Sequence, residues 1–201
     1  MENNIKRDIE LLFEVGAFRF IDRAWKQFLN PDVANNAEHI FRTLWIALTI
    51  AKYEKNVDTG KLLKMALVHD IPESRCGDAH YLSRQYVEQD EMMAIEDVFE
   101  KTIYGSDMKE LMVEYKERQS IESKIVKDAD NIDVELELKE LEFKGHSLGK
   151  IWEKGRQERV YPSLYTKTAR LLWDEIKNSN PHNWHLNSNN NRFRGGDWKK
   201  K

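Results

Sequence analysis

The sequence predicts an all-α fold in a single domain, and three observations carry that reading. Apolar residues recur at helical spacing through most of the chain. Little of it reads as strand. Neither a βαβ alternation nor an internal repeat is present, which leaves a helical bundle. At 201 residues the chain can bury a sizeable core as one unit. The expected boundaries are a domain over residues 1–177 and a polar, basic tail over residues 178–201.

Each element has a local reason. The stretch "IKRDIELLFEVGAFRFIDRAWKQFL", from Ile5 to Leu29, spaces its apolar residues helically, with Gly16 as a break or bend. Pro31 then marks a turn. Asn35 or Asn36 can cap a helix that runs to about Glu54, with Ile40, Leu44, Ala47 and Ala51 on one face. Asp58 in the loop "NVDTG" can cap the next helix, Lys61 to about His69, which Pro72 stops. "SRCGDAHYLS" reads as irregular. A helix is expected over about Val87–Ile103, a turn at Tyr104–Ser106, and a helix near Lys109–Lys116. Ser120 caps a long helix to about Phe143. Gly145, Gly149 and Gly155 suggest a loose connection with a short apolar piece at Ile151–Trp152. Ser163–Ile176 reads as the last helix, and Trp45, Trp152 and Trp173 are expected in the core.

Composition narrows the function classes. Hydrophobic residues make up 40% and charged residues 33%, as in a soluble globular protein. The most apolar run, Leu44–Ala51, is far shorter than the roughly 20 residues of a membrane span. "MENNIKRDIE" carries charges where a signal peptide needs an apolar stretch. The one cysteine, Cys76, excludes an intrachain disulfide and suits a reducing cytoplasm, so a cytoplasmic location is expected. A net charge of -3 gives no general attraction to nucleic acid or membranes. The tail holds Trp184, Arg192, Phe193, Arg194 and Trp198, a basic and aromatic set of the kind that contacts nucleic acid. A loosely ordered extension is the expected reading.

Metal-type ligands occur in three places. His39 lies in "NAEHIFRTL", His69 and Asp70 in "LVHDIPE", and Asp128 and Asp130 in "VKDADNID". Each lies near the apolar face of a predicted helix. A buried ionised carboxylate needs a cation or several hydrogen bonds. Two imidazoles and two carboxylates converging on a divalent metal would meet that need for all four groups. Periodicity does not choose between Asp128 and Asp130.

This order of motifs resembles the HD-domain superfamily of metal-dependent phosphohydrolases, and in finer detail its 5′-deoxynucleotidase branch. The residues that carry the resemblance are Glu38–His39, the stretch "HDIPESRCGD" from His69 to Asp78, "VKDAD" from Val126 to Asp130, and Arg23 in "FIDRAW". The resemblance implies an HD-type bundle in which His39, His69, Asp70 and Asp130 hold one metal, with Asp128 as the fallback for the fourth place. It further implies Glu73, Asp78 and Arg23 as catalytic residues, with Arg23 and Asp78 also contacting substrate. The implied activity is release of phosphate from (deoxy)nucleoside 5′-monophosphates. The alternatives are an HD hydrolase of another phosphoester, such as a triphosphate, a cyclic nucleotide or a non-nucleotide monophosphate, and a silent nucleotide-binding module. Mixed nitrogen and oxygen ligands favour Mn, Co, Fe, Ni or Zn. Only His80 lies between the HD pair and the last aspartate, so a single metal is expected. A small nucleotide is the expected partner, nucleic acid and membrane are not, and the resemblance implies a homodimer. In that branch the arginine is often followed directly by tryptophan, whereas here Ala24 precedes Trp25.

Overall fold

The computed structural model of the chain describes residues 2–29 and 33–186. The order of helices along them is α1 (Glu2–Ala17), α2 (Lys26–Leu29), α3 (Asn36–Tyr53), α4 (Thr59–Val68), α5 (Glu73–Cys76), α6 (Glu91–Phe99), α7 (Gly105–Glu117), α8 (Ile121–Phe143), α9 (Leu148–Arg159), α10 (Lys167–Asn178) and α11 (Asn183–Leu186). Short 3₁₀ turns at Phe18–Phe20, Ser83–Gln85 and Tyr161–Ser163 join some of them. Among the described residues there is no strand, only an isolated bridge between Asp22 and Asn35.

The helix starts are set locally. Asn35 accepts from the Glu38 amide at 3.0 Å while Glu38 accepts from the Asn35 amide at 3.1 Å, a reciprocal cap that opens α3. Asp58 caps α4, Asp90 caps α6, Ser120 caps α8 and Thr166 caps α10.

Helices α3, α4 and α8 pack on one another, with α7 and α10 against α8. The core between them is built from Ile50, Leu62, Met65, Met112, Ile125, Ile132 and Trp173, all enclosed. A second, smaller cluster joins Leu29, Val134, Leu138 and Leu141, with Trp25 and Trp152 packed against it.

Several expectations change. Ser74–Cys76, in the stretch read as irregular, belong to helix α5, and α11 follows the helix read as the last. The glycine-bearing connection is the twelve-residue helix α9. Gly149 belongs in it because a Cβ there would stand 3.1 Å from the Leu138 carbonyl of α8, so the glycine lets the two helices approach. The segment around Val87–Ile103 is helical only over Glu91–Phe99, where the Asp90 cap starts it. Trp45 is 61% exposed, since the inner face of α3 is taken by Thr43, Ala47 and Ile50. Trp152 is half-buried in an aromatic cluster and is not part of the main core. The tail is helical at α11, and its further residues, Arg192, Phe193, Arg194 and Trp198 among them, lie outside the described residues.

Helix α8 buries four carboxylates, each with its own partners, as buried acids require. Glu122 accepts from the Asp58 amide, Glu137 from the Ala34 amide, and Asp133 meets His39 and Arg42. Asp128 accepts from the Tyr165 and Thr166 amides and the Thr166 hydroxyl, at 2.7–2.8 Å, and so anchors the start of α10.

Candidate metal centre and active site

The donors meet where α3, the end of α4 and α8 come together. Ligand atoms of His39, His69 and Asp70 lie within 4.8 Å of one another. The Nε2 atom of His39 is 3.3 Å from an Asp70 oxygen and 3.4 Å from an Asp130 oxygen. The Nε2 atom of His69 is 3.4 Å from the same Asp70 oxygen. Asp130 therefore faces this point, while Asp128 faces α10.

The imidazoles are oriented from behind. The Nδ1 of His39 lies 2.6 Å from Asp133, and the Nδ1 of His69 lies 2.8 Å from the Ala66 carbonyl. Carboxylate and carbonyl oxygens only accept, so each Nδ1 carries the hydrogen and each Nε2 presents its lone pair. Both Nε2 atoms are buried without a hydrogen-bond partner. Two such nitrogens beside two carboxylates fit a divalent transition metal, and the hydrogen bonds behind them are of the kind that fixes metal-bound histidines. Arg42 in turn bonds Asp133 and reaches Glu140 at 2.8 Å.

The electrostatics match. Burial pushes the His69 imidazole below its ordinary value, which favours the neutral ligand form. Burial opposes charge on His39, but Asp130, Asp133 and Asp70 together hold it well above the ordinary value. Three carboxylates gathered on one imidazole attract a proton, and a metal ion would satisfy the same field. Burial also works against charge on Asp130, yet Lys127, His39 and His69 keep it well below the usual carboxylate range.

Beside the donors, Arg23 is 7% exposed and donates to Asp70 at 3.2 Å. Glu73 opens α5 and accepts from the Asn36 side chain. Burial, then the Asp70 and Asp78 charges, push its carboxyl up to about 9. Gly77 follows α5 at φ 71°, a conformation that favours glycine, and brings the chain round to Asp78. Gln89 ties this corner by donating to the Gly77 carbonyl at 2.6 Å. Asp78 accepts from the Ala24 amide at 2.8 Å and so holds the Arg23 loop. The intervening Ala24 is thus where the two segments are joined.

A cavity of about 500 Å³ opens on this centre, and Arg23, His69, Asp70, Glu73, Asp78 and Asp130 all border it. Trp25, His80 and Tyr81 line another part of its wall. His80 bonds Gln27 at 2.6 Å and stays out of the donor cluster.

Sequence reasoning missed Asn36, Asp133 and the aromatic wall. Asp133 stands three residues after Asp130, one turn along the same face, a spacing that could have flagged it. Asn36 reads locally only as a helix cap. No local signal marks the aromatic wall, because Trp25 and Tyr81 are brought together against Trp152 of α9, far along the chain.

Donors of this kind fit a divalent cation, and an arginine against one of them suits an oxyanion, so fold and centre together define a helical bundle with a candidate metal centre. The chain belongs to the HD domain family, whose model matches residues 15–175. The 5′-deoxynucleotidase HDDC2 of Dictyostelium discoideum is 29% identical over 125 residues, covering 56% of this chain and 65% of its own length. The Danio rerio protein of the same name is 31% identical over 116 residues, covering 53% of this chain and 54% of its own. The chain thus spans less than two thirds of the length of these curated relatives. A conserved hypothetical protein of Pyrococcus furiosus, of known structure, matches with a TM-score of 0.70 at 26% identity, over 85% of this chain and 99% of its own.

Proposed function

We propose that this protein releases phosphate from nucleoside 5′-monophosphates, the deoxy forms foremost, at one divalent metal held by His39, His69, Asp70 and Asp130. The observation that carries the reading is the pair of buried, unpartnered Nε2 atoms turned toward two carboxylates, with Arg23 beside them. The names of the Dictyostelium and Danio relatives support the substrate class. A cavity of about 500 Å³ with Trp25 and Tyr81 in its wall has room and aromatic surface for a nucleoside.

The metal, when bound, supplies Lewis acidity to the phosphoryl group and makes its water a better nucleophile. Arg23 neutralises charge on the non-bridging oxygens. Glu73 is held by Asn36 and keeps its proton at neutral pH, which suits protonation of the leaving 5′-oxygen. Asp78 fixes the Arg23 loop through Ala24 and keeps its other oxygen for the sugar.

A homodimer belongs to the same proposal. Helix α1 exposes Ile5, Ile9, Leu12 and Phe13 as one helical stripe, an apolar face suited to a second copy. The Trp173 and Trp152 rings themselves are turned inward, Trp173 enclosed and Trp152 packed on Trp25 at 5.1 Å.

The test is phosphate release from a panel of mono- and triphosphates by metal-stripped protein resupplied with single divalent metals. Release from deoxynucleoside monophosphates on adding Mn, Co, Fe, Ni or Zn is expected. No release from any nucleotide would overturn the reading.

A further inference from the structure

The cavity carries more positive charge than a phosphomonoester needs. Six cationic and five acidic side chains line it. Even with all five acids ionised, a divalent metal brings the surplus to three positive charges, and a phosphomonoester brings about two negative ones. Four of the cations are committed among the described residues: Arg23 to Asp70, Lys116 to Glu91, Lys127 to Asp130 and Arg156 to Glu135. Arg84 has no such partner among the described residues and stands exposed at the rim. Arg118 differs from all five. It is half-buried, has no carboxylate partner among the described residues, and its Nη1 is buried there without a hydrogen bond.

Its placement is specific. Arg118 ends α7 in the left-handed conformation, φ 55°, where glycine is the usual residue. Asn56 and Lys101 share that conformation, but both are exposed and neither borders the cavity. The Arg118 guanidinium lies 3.4 Å over the Tyr115 ring, and that ring stands edge-on to His69 at 5.7 Å. The arginine is therefore held against Tyr115, which in turn packs on His69 of the metal centre. A guanidinium in this setting, partly desolvated and stacked, is a ready partner for an oxyanion.

Resting on the nucleotide-phosphohydrolase reading above, we propose that Arg118 forms a second oxyanion subsite on the α7 side of the cavity, which receives a further phosphate group of the nucleotide. Arg23 takes the phosphate that is cleaved, and Arg118 holds the further phosphate of a nucleotide that carries one. Tyr115 is the positioning residue that holds the guanidinium in place.

The experiment compares kcat/KM of the metal-loaded full chain for thymidine 5′-monophosphate, thymidine 3′,5′-bisphosphate and thymidine 5′-triphosphate, in wild type, Arg118→Met and Arg118→Lys. Arg118→Met is expected to lower the ratio of a polyphosphorylated substrate over the monophosphate at least tenfold, and Arg118→Lys to restore part of it. The bisphosphate and triphosphate arms tell which position the second phosphate occupies. A ratio unchanged in both arms overturns the proposal. So does a change seen only in inhibition by inorganic phosphate, which would make the subsite one for free phosphate. Should wild type hydrolyse no nucleotide at all, the function reading fails by itself. The subsite is then read by calorimetric binding of tripolyphosphate: a tenfold weakening in Arg118→Met supports it and equal binding overturns it. A circular-dichroism melt verifies the fold of each variant, and Arg118→Lys supplies the comparison if the methionine variant does not fold.

Discussion

The His39 imidazole and the Asp133 carboxylate meet at 2.6 Å, Nδ1 to Oδ2, inside the contact between α3 and α8. This bond decides which nitrogen of His39 faces Asp70 and Asp130. A carboxylate behind a metal-binding histidine fixes its tautomer and raises its basicity. Asp133→Ala is therefore expected to weaken metal affinity by about 10- to 100-fold. Competition against a chelator of known affinity reads this directly. Unchanged affinity would make Asp133 only the anchor of Arg42.

Asp128 and Asp130 should separate stability from metal binding. Asp128→Ala strands the Tyr165 and Thr166 amides that now donate to it. Leaving buried donors unsatisfied costs about 3 kcal/mol in all, a fall in Tm of roughly 6–12 °C for a chain this size. Asp130→Ala should instead abolish the rise in Tm that added metal gives, together with activity. Scanning calorimetry with and without metal distinguishes them. The reverse pattern would give the fourth ligand to Asp128.

Glu73 should matter for turnover and not for the metal. Glu73→Gln is expected to retain wild-type metal content while losing on the order of a hundredfold in kcat. The pH dependence has a defined sign. Burial and the neighbouring Asp70 and Asp78 charges raise the Glu73 carboxyl to about 9, so the proton is held below that pH and lost above it. A cation beside Asp70 offsets part of that push, so kcat should fall on the alkaline side at or below pH 9. The glutamine variant should lack this limb. Metal loss in the variant, by elemental analysis, would place Glu73 among the ligands instead.

Sugar preference follows from the tight corner at Gly77 and Asp78. An extra 2′-hydroxyl must find room or a partner there, and a site that offers neither rejects it by about a hundredfold at most. The ratio of kcat/KM for the deoxy and ribo forms of one base measures this. Equal values would keep the phosphohydrolase and remove the deoxy preference.

The α1 stripe predicts the assembly. Light scattering should give twice the 23.9 kDa chain mass. Phe13→Glu combined with Leu12→Glu should return the single-chain mass, because both side chains are exposed while Leu11, on the inner face, stays buried. A wild-type monomer at micromolar concentration would remove the dimer.

The sequence by itself determined the helical class, most helix starts and the order of the metal-type ligands. These are legible because their causes are short-range: Asn35 with Glu38, Asp58 with Lys61 and Ser120 with Ser123 are each three residues apart. The ten-residue stretch from His69 to Asp78 likewise keeps one helix end, one proline and one glycine in fixed sequence. Tertiary structure decided the rest. Asp128 and Asp130 sit about 200° apart around α8, and both have apolar neighbours. Only the packing of α10 on one side and α3 on the other gives the first to Thr166 and the second to the histidines. Helix α9 shows the same limit. Its glycines argue locally for a loop, whereas in the fold Gly149 lets the helix approach α8 closely, a contact between residues apart in the chain. Arg118 and Tyr115 reach the cavity through that kind of packing too, since no periodicity within α7 says which helix end will border a site assembled from α3, α4 and α8.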